Sequence, residues 1–215
     1  MADFAKHLPL SQQARAEEPH VNNDWRMFIS TTLTGIAGLL ENLSPEQWQT
    51  PSLCENRTVR DEACRIVWRL GSSNRERLAS GAGAYARNFP GHNRAIDVVS
   101  RAVAEAPPAD LVARIREIAA DKAAGRGRHG VTELTEAVVH GLDIAHPLGL
   151  TLAVDPVASG AVAVRRALIA PSSVRGVLRA RTLVATDAGW RVGRGPAIPG
   201  TAEAHLLFLF GRKPL

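Results

Sequence analysis

The 215-residue chain has few aromatic residues, 5% of the total, so alanine, valine and leucine must supply most of its packing. Cysteine is also scarce. Cys54 and Cys64 are the two thiols, and no CxxC pair is present. Nothing implies a disulfide framework, and with no activating group beside either thiol in the sequence, buried structural thiols are the default. Lysine is confined to Lys6, Lys122 and Lys213, leaving arginine to carry the remaining basic charge. The net charge of +5 is spread along the chain. Its longest basic cluster, 125–129, is broken by glycine and reads as a loop between helices, whereas a nucleic-acid footprint needs a denser stripe. No apolar run approaches the roughly 20 residues of a membrane helix. The first residues lack the apolar core of a signal peptide, so the expectation is a soluble, cytoplasmic protein. With 45% hydrophobic residues there is ample core for one large domain, or a domain with a small appendage.

The hydrophobic period is helical over the first two thirds of the chain. Residues 1–21 are polar and patternless and read as a flexible arm. From about Asn23, Trp25, Phe28, Ile29, Thr32, Leu33, Ile36, Leu39 and Leu40 form one stripe. Ser44-Pro-Glu-Gln47 is a capping box with proline at the first helical position. Thr58 caps a second long helix, with Asp61 in its first turn near the positive helix end. A third helical region covers about 94–123, with a break expected at Pro107-Pro108. A fourth covers 131–147. Asp155 caps a further helix to about Ala170. The period then alternates: Val177 to Ala185 reads as a strand, Thr186 to Gly189 as a hairpin turn, and Trp190 to Arg194 as the returning strand. Residues 195–200 read as a loop, and Thr201 caps a last helix closed by Gly211. The fold class predicted is therefore mainly α: a four-helix bundle over 22–150 and a small α+β unit over 151–215.

The fourth helix carries the chemistry. Glu136, His140 and Asp143 stand at spacings of four and three, on one helix face. The residues around them are apolar, so these groups face an interior and need partners. A carboxylate and an imidazole one turn apart suit a shared divalent metal or an acid/base pair; an ordinary surface pair is the plainer reading. Helical bundles commonly build metal sites between facing helices, which predicts that Glu136 and His140 look across at the second helix.

Three ordered segments resemble the mycothiol-dependent maleylpyruvate isomerase family, within the DinB-like superfamily of metal-binding bundles. The first is Leu43-Ser-Pro-Glu-Gln-Trp48 with Pro51-Ser-Leu-Cys54 and Thr58-Val-Arg-Asp61. The second is Glu133 to Ile144 with Pro147-Leu-Gly149. The third runs from Thr186-Asp-Ala-Gly-Trp-Arg-Val-Gly193 through Gly211-Arg212. The resemblance implies a metal-binding bundle, a C-terminal sterol-carrier-protein-like domain, an actinobacterial origin and chemistry dependent on the thiol mycothiol. It implies a metal held by Glu136, His140 and a histidine on the second helix. That third position is Arg65 here, and Asn56-Arg57 stands where members usually have Gly-Trp.

A guanidinium cannot ligate a metal, because it stays protonated and offers only donors. A catalytic zinc normally keeps three protein ligands, so a zinc site built on Glu136 and His140 is expected to be weak or absent unless Asp61, one turn before Arg65, supplies the third. Otherwise Arg65 substitutes for the metal charge and pairs with Glu136 and Asp143. Trp68 is a candidate for lining a thiol pocket, against a plain core role. Arg212 matches a family arginine that can face the active site and bind an anion, against an exposed helix-end role. His146 reads as a cation closing the helix C-terminus.

These features lead to an expected small-molecule enzyme, a thiol-dependent isomerase or S-transferase acting on a substrate such as a carboxylic acid, with no nucleic-acid or membrane partner. His140 and Arg65 are its expected catalytic residues, and Trp68 and Arg212 its expected cofactor-binding residues. The alternatives are a non-catalytic binding protein, or a metal-independent enzyme with His140 as base and Arg65 as anion holder.

Overall fold

The computed structural model describes residues 24–72 and 106–215. The expectations for the N-terminal arm and for the first part of the third helical region lie outside these residues. Four long helices make the bundle: α1 (Arg26–Glu41), α3 (Val59–Gly71), α4 (Pro108–Ala123) and α5 (Val131–Ala145), with the one-turn α2 (Pro45–Trp48) between the first two. The remainder is a 3-10 turn (His146–Leu148), α6 (Pro156–Ile169), α7 (Ser172–Ala180), the strands β1 (Thr182–Ala185), β2 (Arg191–Gly193) and β3 (Ala197–Gly200), and α8 (Ala202–Leu209). The architecture is mainly α with a small C-terminal α+β part, as the hydrophobic period predicts.

Local chemistry explains where the helices begin. Ser44 and Gln47 close a reciprocal capping box at α2, and Thr58 and Asp61 close another at α3; each satisfies two backbone donors that the first turn leaves free. Pro107-Pro108 marks the start of α4 rather than its middle, since Pro108 occupies the first turn, where its missing N–H costs nothing. The Asp155 and Thr201 side chains accept from Val157 and Ala204 and start α6 and α8.

The bundle closes as a ring in which α1 packs on α4, α4 on α3, α3 on α5 and α5 on α1. The outer side of α5 carries α6 and α8. Helix α5 is thus covered all round, which is why its apolar residues are not confined to one stripe: Leu134, Val138, Leu142 and Ile144 are all inside. Its backbone runs close to α1, because a Cβ on Gly141 would stand 2.8 Å from Ile36 and 2.5 Å from Leu152. Glu136, His140 and Asp143 are therefore carried on the most enclosed helix of the bundle, along its seam with α3.

Two C-terminal expectations are corrected. Residues 172–180 form a helix. Val174 and Leu178, four apart, are its buried pair, and the alternation read over Val177 to Ala185 joins the end of that helix to β1. Residues 197–200 are a strand rather than part of a loop. The sheet order is β2-β1-β3, with β1 antiparallel to β2 and parallel to β3. Pro199 hid β3 from the strand pattern, and an edge strand tolerates it because a proline there need not donate inward. The turn Thr186 to Gly189 does join β1 and β2, with Gly189 in the left-handed region at φ 69°.

Candidate functional site

The site is centred on His140, and the two ring nitrogens face different neighbours. On one side, the Arg65 Nε donates to His140 Nε2 at 3.1 Å. Glu136 Oε2 lies 3.1 Å from the same nitrogen. Arg69, one turn beyond Arg65 on α3, grips Glu136 in a two-pronged pair at 2.9 and 2.8 Å. On the other side, His140 Nδ1 lies 2.7 Å from Glu62 Oε2 and 3.4 Å from Asp143 Oδ2. Cys54 Sγ lies 3.3 Å from Asp143 Oδ2.

Each acidic group on this second side is braced from outside by an arginine. Arg212 donates through Nε and Nη2 to the two oxygens of Asp143 at 2.7 and 2.9 Å, and its Nη2 also reaches Cys54 Sγ at 2.9 Å. Arg57 holds Glu62 Oε1 at 3.3 Å. Glu62 and Asp143 are fully buried, and His140 is 6% and Arg65 8% exposed.

The loop that brings Cys54 here is held at both ends. Ser52 N donates to Arg57 O at 2.8 Å, and Val59 N to Thr50 O at 2.9 Å. Asn56 sits between them at φ 59°, in the left-handed region. Glycine enters that region freely and asparagine is among the few other residues that tolerate it. Asn56 therefore makes the backbone turn of this loop. Leu53 N donates to Asp143 O at 3.3 Å, tying the loop to α5.

Burial and the surrounding charges pull in opposite directions at His140 and at the three acids. Burial disfavours a charged His140, but Asp143, Cys54, Glu136 and Glu62 outweigh it and raise its pKa well above the ordinary range. Burial would raise Glu136, yet hydrogen bonding to His140 and the charges of His140 and Arg69 bring it down to about 2. Asp143 is lowered against its burial by His140 and Arg212, and Glu62 chiefly by His140. Burial pushes the Cys54 thiol up and lowers Arg65.

The sequence-predicted residues fall as follows. Arg65, Glu136 and His140 are brought together inside the α3–α5 seam. The two-pronged partner of Glu136 is Arg69, not the expected Arg65; one helical turn further along α3 puts the guanidinium level with the carboxylate. Arg212 reaches the site from beyond α8. Asp143 is paired with Arg212 rather than with Arg65. Trp68 is buried beside the seam on α3. Asp61 turns back on its own helix end, its carboxylate accepting from Thr58 N and Oγ1 at 2.8 and 2.9 Å, and it is not among the converging acids. His146 pairs with Glu203 at 2.7 Å. Sequence reasoning missed Glu62, Arg69 and Arg57 and treated Cys54 as inert. Only the position of Glu62, one turn before Ile66 on the buried side of α3, carried a signal.

The metal arrangement that the sequence resemblance implies does not fit these residues. The lone pair of His140 Nε2 that a metal would take is directed at the Arg65 N–H, and Glu136 is paired with Arg69. A cationic guanidinium occupies the third position and repels a dication.

No protein-family model matches the chain, and no curated protein matches it. Among solved structures, a mycothiol-dependent maleylpyruvate isomerase is similar over 97% of this chain and 92% of that one, with a TM-score of 0.51 and 12% sequence identity. The likeness is one of fold, and the residues that act on that fold are this chain's own.

Proposed function

We propose that the chain is a small-molecule enzyme related to the thiol-dependent isomerases and S-transferases, in which an arginine has taken over the inherited metal position. The observation that carries this reading is the Arg65 to His140 Nε2 hydrogen bond, at the helix positions where the resembling family holds its metal. The thiol would be mycothiol, named for the structural neighbour, and the substrate a small carboxylic acid with an activated double bond. His140, in the neutral form that the Arg65 hydrogen bond to Nε2 requires, accepts the thiol proton. The thiolate adds to one alkene carbon and the electron pair moves to the conjugated carbonyl oxygen, where Arg65 meets the negative charge. Rotation about the new single bond and expulsion of the thiolate, with the electron pair returning from the enolate, complete an isomerisation; retention of the sulfur, with the proton on His140 passed to the enolate's α-carbon, completes a transfer. Trp68 and Arg212 are the proposed thiol-side contacts. The arm, bundle and C-terminal unit, split near 21 and 150, and a cytoplasmic, actinobacterial setting belong to the same proposal.

A second reading is favoured by the arginine-filled site itself: a metal-independent enzyme of another reaction type, with the same base and anion holder. A non-catalytic binding protein is the third. Turnover of unsaturated carboxylic acids, with and without mycothiol, separates them. The first reading expects thiol-dependent turnover that falls on the order of 100-fold or more in His140→Ala, as loss of a general base does. Turnover indifferent to thiol supports the second, and ligand-induced thermal stabilisation without turnover the third.

A further inference from the structure

The Nδ1 side of His140 has the makings of a site that the inherited metal arrangement does not use. Cys54 Sγ, a Glu62 oxygen, His140 Nδ1 and an Asp143 oxygen all lie within 4.8 Å of one another, and all four residues are buried. A cluster of acids alone would mean little, but two of these atoms are orphaned. Glu62 Oε2 and His140 Nδ1 approach to 2.7 Å, yet they are not aligned for a hydrogen bond, and neither has an aligned partner elsewhere. An unsatisfied buried polar atom costs free energy; here two of them belong to the same buried cluster.

We infer that Cys54, Glu62, His140 through Nδ1, and Asp143 form a four-donor site for a divalent ion of the zinc class, on the opposite side of the imidazole from the inherited position. Donor type fits: one thiolate, one imidazole and two carboxylates are all zinc ligands. Spacing fits as well. Donors about 2.0–2.3 Å from a tetrahedral ion stand about 3.3–3.8 Å apart. Asp143 Oδ2 is already 3.3 Å from Cys54 Sγ and 3.4 Å from His140 Nδ1. The 2.7 Å gap between Glu62 and His140 must open, and the remaining donor pairs lie within 4.8 Å.

The surrounding arginines hold the donors without using them up. Arg57 grips Glu62 by Oε1 and leaves Oε2 free. Arg212 braces both Asp143 oxygens and Cys54 Sγ from outside, and a carboxylate oxygen that accepts one hydrogen bond keeps a second lone pair. With the thiol ionised by the metal, three anionic donors outweigh the dication, and the excess negative charge is met by Arg57 and Arg212.

Ligation through Nδ1 places the ring proton on Nε2, where Glu136 Oε2 accepts it at 3.1 Å. That is the usual carboxylate support of a metal-bound histidine. Arg65 then gives up its bond to Nε2. Four protein donors leave no open position, so the ion is structural: it fastens the Cys54 loop to α3 and α5. It also removes the proton-accepting nitrogen that the proposed reaction uses, making the metal-loaded and base-competent forms alternatives. The site stands on its own geometry, whether or not that reaction is the right one.

Cobalt(II) and zinc, added to chelator-treated full-length protein, test the site without reference to activity. One equivalent of cobalt should bind and produce a thiolate-to-cobalt charge-transfer band in the near ultraviolet, and zinc should displace it. Cys54→Ser should abolish the band, and Glu62→Gln, which removes a ligand rather than an outer partner, should weaken uptake by roughly 100-fold or more, at or beyond the top of the outer-partner range. Glu136→Gln should leave the band and weaken uptake about 10-fold, as loss of an outer partner does. Circular dichroism of the metal-free variants checks that they remain folded. Should a variant fail to fold, the band in the unaltered protein decides. Absence of stoichiometric uptake by folded protein, or uptake without a thiolate band, overturns the inference.

Discussion

The two sides of His140 resolve the same problem, buried acids around an imidazole, in different ways. On the Nε2 side guanidinium groups come inside: Arg65 touches the ring and Arg69 takes both oxygens of Glu136. Charge there is matched by side chains, and Arg65 stands on the ring nitrogen. On the Nδ1 side the arginines stay at the rim. Arg57 and Arg212 brace Glu62 and Asp143 from behind, and a thiol, a carboxylate oxygen and a ring nitrogen face one another across the interior. Arginines thus fill one side of the ring, while on the other side buried polar atoms face one another.

The largest effect expected is at Asp143, where the Nδ1 side is anchored. Asp143→Ala removes a fully buried acid and strands Arg212. It should lower unfolding free energy by about 3 kcal/mol, the low end for a broken buried pair because Arg212 keeps some solvent contact. Chemical denaturation measures it, and a loss below about 1 kcal/mol would demote this side to the level of a surface ion pair.

Gly141→Ala moves both sides at once. The added methyl meets Ile36 and Leu152, and overpacking of this kind costs about 2 kcal/mol. If the site depends on the placement of α5, cobalt affinity should fall with stability; an unchanged affinity would show that the donors adjust independently of the helix.

Glu136→Gln isolates the Nε2 side, with a cost of about 1–2 kcal/mol at neutral pH after discounting for partial exposure. The sign with pH follows from a carboxyl held at about 2 against an ordinary 4.5. Its extra stability is fully present above the ordinary value and is lost as pH falls through 4.5 toward 2. Urea midpoints of the unaltered protein and the glutamine variant should therefore converge over that interval. A gap that persists unchanged at the acid end would sink the assignment.

The smallest effect is at Asp61. Asp61→Ala breaks the capping box of α3 and should cost about 1 kcal/mol, with cobalt uptake untouched. A drop in uptake would restore Asp61 as a ligand.

Much of the scaffold was legible because its signals are local. Periodicity located the long helices within the described residues, and Ser44, Thr58, Asp155 and Thr201 marked helix starts through bonds to backbone two or three residues away. Where two elements abut, at α7 and β1, the apolar pattern of one ran into the other and the boundary was lost. Pro199 concealed β3 because strand pattern does not distinguish an edge strand, which tolerates proline, from a loop.

By itself, the sequence determined which residues could carry chemistry on α5. Tertiary structure decided their partners. Arg69 rather than Arg65 grips Glu136 because of how α3 lies along α5, and Arg212 reaches Asp143 because α8 packs on the outer side of that helix. Cys54 joins a site 89 residues away in the chain only because its loop is tied to α5. Caps and periods are set by neighbours along the chain. A buried site is set by side chains that the core's packing brings together, and that packing depends on contacts no local pattern records.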